Sequence, residues 1–144
     1  MANKKYNFID LYCGAGGFAK GFVMSNKFNC IGGIDNKKVA VETHKLNFKN
    51  SVSVHADIRE LPPQKFNELI NGQQVDVIIG GPPCPTFSTI GHAKIQSVNK
   101  NKGDCITEDP RNILFMDYLE YVKYFKPKMF VMENVPQFLT KYKG

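Results

Sequence analysis

Arginine is scarce in this chain: of 19 basic residues only Arg59 and Arg111 are arginines. Reading bases in DNA grooves leans on the bidentate arginine fork, whereas lysine supplies phosphate attraction as a point charge. Groove reading is therefore expected to lie elsewhere, even though a net charge of +6 and a sequence pI of about 9.1 favour a polyanionic partner. No stretch approaches the ~20 continuous apolar residues of a membrane span. The Lys4-Lys5 start leads into a strand-like run rather than a signal-peptide core. These absences predict no membrane partner and a cytoplasmic protein, or a nuclear one in a eukaryotic cell. The four cysteines, Cys13, Cys30, Cys84 and Cys105, form no C-x-x-C pair. Neither a metal site nor a disulfide framework is predicted, and the thiols should be reduced. No internal repeat, low-complexity tract or second domain boundary is visible, so 144 residues, 42% of them hydrophobic, read as one domain.

What is present is an alternation of two periods. Short apolar runs at Tyr6–Leu11, 29–34, 51–55, 75–79 and Met129–Met132 read as strands. Residues 18–24, 37–48 and 111–125 read as helices, the last placing Phe115, Tyr118, Leu119 and Val122 on one face. Strands alternating with helices imply an α/β fold with a parallel sheet covered on both faces and ligands at the carboxyl ends of its strands. Residues 85–110 have no period of their own, and a loop of that length inside a compact domain is usually a functional lid or a disordered segment.

Three constellations fall at strand ends. The first, FIDLYCGAGGF over residues 8–18, runs from a strand through three glycines into a helix. Glycines there permit a tight turn and let backbone N–H groups approach a ligand beside the positive end of a helix. A Gly-rich turn with no ligand is the alternative. Asp35 follows the second strand, 19 positions after Gly16, a spacing at which an acid accepts hydrogen bonds from ribose hydroxyls. Asp57 follows the third strand and could take an adenine amino group while Ile58 packs on the ring; an exposed loop aspartate is the bland reading. No G-x-G-x-x-G marks a pyrophosphate site, so an adenosyl group fits better than a dinucleotide.

The second constellation is GGPPCPTFS over residues 80–88. Its prolines restrict the backbone and remove donors, exposing Cys84 rather than packing it. A free cysteine is most often a small core hydrophobe, and Cys13, Cys30 and Cys105 suit that role. The third is FVMENVP over residues 130–136, a strand ending in Glu133. Beside a nucleophilic thiol, a partly desolvated Glu133 with a raised pKa could donate a proton to a heterocycle.

In this order FIDLYCGAGGF, GGPPCPTFS and FVMENV resemble the signature motifs of the DNA cytosine-C5 methyltransferases. The resemblance implies a doubly wound, Rossmann-like sheet of the class I S-adenosylmethionine-dependent type. It implies a cofactor pocket shaped by Phe8, Asp10, Gly14, Gly16, Gly17 and Pro82. Asp35 would hold the ribose and Asp57 with Ile58 the adenine, Tyr12 would stack on that ring, and Asn36 stands where many members place a second large side chain. Cys84 would add to cytosine C6 and Glu133 would engage N3, making C5 nucleophilic enough to take the methyl of S-adenosylmethionine. Arg111, followed by the unusual Asn112, corresponds to a family arginine near the target base.

The base must leave the duplex for such chemistry. Residues 85–110 would then be the lid over duplex DNA, with Ser88, Lys94, Lys100 and Lys102 as candidate phosphate contacts. Family members continue with a base-supporting strand, a target-recognition region and a closing helix. Residues 1–144 are therefore expected to be a partial catalytic domain that works with a complementary C-terminal half, in the setting of a restriction-modification system. A non-catalytic S-adenosylmethionine-binding regulatory module and a tRNA cytosine-C5 methyltransferase are the alternative functions.

Overall fold

The computed structural model describes residues 4–83 and 114–135. Its elements run β1 (Tyr6–Leu11), α1 (Gly17–Met24), β2 (Phe28–Asp35), α2 (Lys38–Asn47), β3 (Val52–His55), a 3-10 turn (Ile58–Glu60), α3 (Pro63–Leu69), β4 (Val77–Gly80), α4 (Leu114–Phe125) and β5 (Met129–Met132). The five strands form one sheet in the order β3-β2-β1-β4-β5, and every neighbouring pair is parallel.

Side-chain alternation along β1 divides the core between the two faces of the sheet. Ile9 and Leu11 pack with Phe66 and Ile70 from α3 and its end, and with Leu114, Tyr118 and Tyr121 of α4. Phe8 points the other way, into a cluster with Ala19 of α1, Cys30, Phe48, Val77 and Ile79. Helices thus cover both faces, which defines a doubly wound α/β fold. Two tyrosines fasten α4 while satisfying their own hydroxyls. Tyr118 shares its proton between the carbonyls of Ile78 (3.1 Å) and Val131 (3.2 Å), and Tyr121 donates to that of Leu61 (2.5 Å).

Several boundaries differ from the sequence expectation. The strand predicted over 75–79 begins at Val77. Asp76 is drawn into a junction at the sheet's amino edge, where its carboxylate accepts the Asn7 N–H (3.0 Å) and pairs with Lys128 (2.7 Å). Helix α3 was not foreseen from the sequence. It is short, but Pro63 sits at its first turn, where the missing N–H is no loss. Phe66 and Ile70, four residues apart, are both fully buried. The helix predicted over 111–125 is described from Leu114 onward.

Candidate functional site

Four strand ends converge on one cleft of about 490 Å³, lined from β1 by Tyr12 and Gly14, from β2 by Asp35 and Asn36, from β3 by Asp57 and Ile58, and from β4 by Gly81 and Pro83. Six residues predicted to bind the cofactor, Tyr12, Gly14, Asp35, Asn36, Asp57 and Ile58, therefore share one wall system. Phe8, Asp10, Gly16, Gly17 and Pro82 do not line it. Phe8 and Asp10 are buried beneath the turn, because both face the α1 side of the sheet while the cleft opens across the strand ends.

The turn after β1 is held from several sides. Tyr12 (φ 62°), Gly14 (φ 53°) and Gly16 (φ 90°) adopt left-handed backbone. The Gly14 N–H donates to Asp35 Oδ2 (2.9 Å), and Asp35 Oδ1 accepts the Lys37 N–H (2.8 Å). One carboxylate at the end of β2 thereby ties the β1 turn to the approach of α2. At Gly16 a Cβ would collide with the Phe48 ring, so both φ and space require glycine there. Tyr12 lies half-buried with its hydroxyl donating to the Leu114 carbonyl (2.7 Å), which fixes the ring against α4 at the cleft wall.

Asp10 is only 1% exposed. Burial pushes its pKa up to about 7, with the Ala19 N–H opposing and the Asp35 charge adding to the rise. Its Oδ2 has no hydrogen-bond partner among the described residues. His44 of α2, which the sequence did not single out, is fully buried beside the same turn. Its Nδ1 meets Ser53 Oγ at 2.7 Å and its ring packs at a tilt against Phe48 with centroids 4.6 Å apart. Burial lowers its pKa, with the Asp35 charge opposing, which favours the neutral ring.

Asp57 is the most heavily engaged cleft acid. Its Oδ1 accepts the backbone N–H (3.0 Å) and Nε–H (2.9 Å) of Arg59, and its Oδ2 accepts an Nη–H (2.5 Å). Direct hydrogen bonding from Arg59 holds the Asp57 pKa below the usual carboxylate range. Arg59 itself lines the cleft and was missed in the sequence. The only signal was its place two residues after a strand-end aspartate, where an Asx-type turn returns both backbone and side chain to the carboxylate.

The catalytic candidates are divided by what is described. Cys84 and Arg111, like Ser88, Lys94, Lys100 and Lys102, lie outside the described residues. Glu133 is described: its N–H donates to the Gly80 carbonyl (2.9 Å), and a Cβ on Gly81 would come within 3.0 Å of its Oε2. The carboxylate thus overhangs the strand end that leads through Pro82 and Pro83 to position 84. Glu133 is exposed, not partly desolvated as expected, because β5 is the edge strand among the described residues and its carboxyl end opens to solvent. Cys13 and Cys30 are free and buried, and burial pushes the Cys30 thiol up to about 11, which suits core packing. Among the described residues no cluster of potential metal ligands occurs, and no helix is long and apolar enough to cross a membrane.

The 3-2-1-4-5 strand order, helices on both faces and a cleft across the carboxyl ends define the class, a Rossmann-like α/β protein of the methyltransferase type. The family model described as C-5 cytosine-specific DNA methylase matches residues 6–144, and the chain belongs to that family. It is 42% identical over 129 residues to the type II methyltransferase M.DdeI of Desulfomicrobium norvegicum, covering 90% of this chain and 28% of that protein. Identity to the type II methyltransferase M1.HphI of Haemophilus parahaemolyticus is 37% over 137 residues, covering 95% of this chain and 34% of the relative. A prophage-encoded E. coli protein described as a DNA modification methyltransferase superposes with a TM-score of 0.76 at 29% identity, over 97% of this chain and 35% of that one. The S. pombe Dnmt2 methyltransferase shares the fold, with a TM-score of 0.64 at 22% identity over 94% of this chain and 36% of that one. The chain therefore spans about a third of the length of these relatives.

Proposed function

We propose that residues 1–144 carry the S-adenosylmethionine-binding and nucleophile-bearing part of a DNA cytosine-C5 methyltransferase, acting together with a complementary stretch that reads the target. The observation that supports this best is the state of Asp35 at the cleft. Each of its oxygens accepts one backbone N–H, leaving one acceptor site apiece. Two acceptors of one carboxylate, fixed by the backbone, suit the paired hydroxyls of a ribose. Asp57 is spaced one strand further along, where the base of the same nucleoside would lie, and Tyr12 offers it an aromatic wall.

In this reading S-adenosylmethionine, when bound, supplies an electrophilic methyl group. The Cys84 thiolate adds to C6 of an extruded cytosine, forming a C–S bond, while Glu133 relays a proton from solvent to N3, so electron density collects at C5. After methyl transfer, loss of the C5 proton to solvent, expulsion of the Cys84 thiolate and return of the N3 proton to Glu133 restore the ring and both side chains. A covalent adduct divides one difficult step into easier ones. Arg111 would steady the target base, and Ser88, Lys94, Lys100 and Lys102 would hold phosphates from the 85–110 segment. Duplex DNA is the proposed substrate, within a restriction-modification setting and a cytoplasmic location.

The test is transfer of labelled methyl from S-adenosylmethionine to duplex DNA and, separately, to tRNA, by the chain alone and with the complementary stretch supplied. Transfer to DNA that depends on the complement is expected, with little by the chain alone. Transfer confined to tRNA, or cofactor binding with no transfer to either, would replace this reading by one of the alternatives.

A further inference from the structure

We propose that Arg59 is the positioning residue that makes this cleft select adenine, by fixing the Asp57 carboxylate as an acceptor with one site left for an exocyclic amino group. The inference deepens the reading above and rests on it. A carboxylate offers about four acceptor sites. Arg59 fills three of them, with its backbone N–H and Nε–H on Oδ1 and an Nη–H on Oδ2. Oδ1 is saturated, and Oδ2 keeps one site. A 6-amino purine brings the donor that this site takes. A 6-oxo purine brings an acceptor to an acceptor and leaves both unpaired.

The pair is ill-suited to stabilising the fold. The Arg59 side chain is 46% exposed, and ion pairs at such exposure contribute little. What Arg59 does control is the electrostatic state of Asp57. The titratable groups around the pair are Tyr12 at the end of β1, Glu60 in the 3-10 turn, and Asp117 and Glu120 on α4. Asp117 is pushed up by burial, with Arg59 opposing the rise and Asp57 adding to it. Arg59 is thus a cation whose charge acts on both carboxylates, which otherwise repel each other. Without it their repulsion raises the Asp57 pKa, and protonation converts the acceptor into a donor that no longer matches an amino group.

The experiment is calorimetric titration of the full chain with S-adenosylhomocysteine and with its 6-oxo (inosyl) analogue between pH 8 and pH 5, for the unaltered protein, Arg59→Gln and Arg59→Lys. The unaltered chain should reject the 6-oxo compound by about tenfold or more, and its own pH profile, which carries the Asp10 titration near 7, is the baseline for the variants. Arg59→Gln should bind about tenfold more weakly at pH 8, weaken further as pH falls toward 5, and lose discrimination. Arg59→Lys, which keeps the charge without the fork, should retain the pH profile of the unaltered chain but lose part of the discrimination. A melting temperature kept in Arg59→Gln separates these effects from misfolding. If that variant fails to fold, Arg59→Lys and the base preference of the unaltered chain decide the matter. Unchanged affinity, profile and base preference in both variants overturns the role of Arg59 alone, whereas no binding by the unaltered chain removes the cofactor reading and this inference together.

Discussion

Asp35 Oδ2 accepts the Gly14 N–H at 2.9 Å, so the carboxylate ending β2 holds the turn that ends β1. The acid proposed for ribose is therefore also part of the loop's own scaffold. Asp35→Ala should lose cofactor affinity and also leave the Gly14 and Lys37 N–H groups without their partner, at about 1–3 kcal/mol of stability. Asp35→Asn keeps an oxygen for Gly14 and should recover part of the stability without recovering the affinity. Parallel denaturant melts and calorimetry on the two variants test this; affinity that follows stability in both would reduce Asp35 to a scaffold residue.

Gly33 of β2 is closed over by a ring. A Cβ there would come within 2.8 Å of His44 Cε1 and Nε2, and 3.2 Å of the Cys13 Cβ. His44 cannot retreat easily, being packed against the Phe48 ring and joined to Ser53. Gly33→Ala should therefore destabilise the domain by about 1–3 kcal/mol through overpacking, measured by urea unfolding. A change within a few tenths of a kcal/mol would show that the His44 ring yields.

Asp10 makes stability depend on pH with a definite sign. Its folded pKa is raised to about 7, above the ~3.9 of an unfolded chain, so the folded state holds the proton more tightly. The associated stability is present below pH ~4 and is lost as pH rises to about 7, by roughly 4 kcal/mol at most. His44 acts oppositely: its lowered pKa contributes stability above ~6.5 that is lost as pH falls through the folded value. Asp10→Asn should isolate the first effect, making the protein more stable than the unaltered chain at pH 8 and removing that advantage at pH 4. Unfolding free energies measured at the two pH values settle it, and equal differences at both would contradict the burial argument.

Cys84 should form a covalent bond to its target. Duplex DNA carrying 5-fluorocytosine, whose fluorine does not leave as a proton does, should trap the chain when the complementary stretch is supplied. Mass spectrometry should locate the bond at Cys84. Cys84→Ser should abolish trapping while leaving cofactor binding intact, since an alkoxide is far harder to form than a thiolate. Glu133→Gln should slow adduct formation and leave the fold unchanged. Trapping that maps to Cys13, Cys30 or Cys105 would overturn the nucleophile assignment.

The strands and longer helices were legible because burial imposes a period on the chain. Tyr6–Leu11 and Met129–Met132 were placed to the residue, and α1 and α2 to within one residue at each end. Helix α3 was not, because seven residues with one buried position, Phe66, carry too little period to distinguish a helix from a turn. The cleft acids were legible for a different reason: Asp35 ends β2 and Asp57 follows β3 by two residues, and ligands bind at the carboxyl ends of the strands in a parallel sheet.

Fold class, family and the acids near the strand ends can be read along the linear chain, since they follow from hydrophobic period and from motifs of contiguous residues. Tertiary structure alone decided what those acids are bonded to. Gly14 and Asp35 are 21 residues apart, Tyr12 and Leu114 are 102 apart, and the His44 ring over Gly33 depends on how α2 settles on β2. Arg59 is only two residues from Asp57, yet its fork is closed by the 3-10 turn and balanced by Asp117 from α4. Such contacts depend on the packing of whole elements against one another, which no local pattern in the chain encodes.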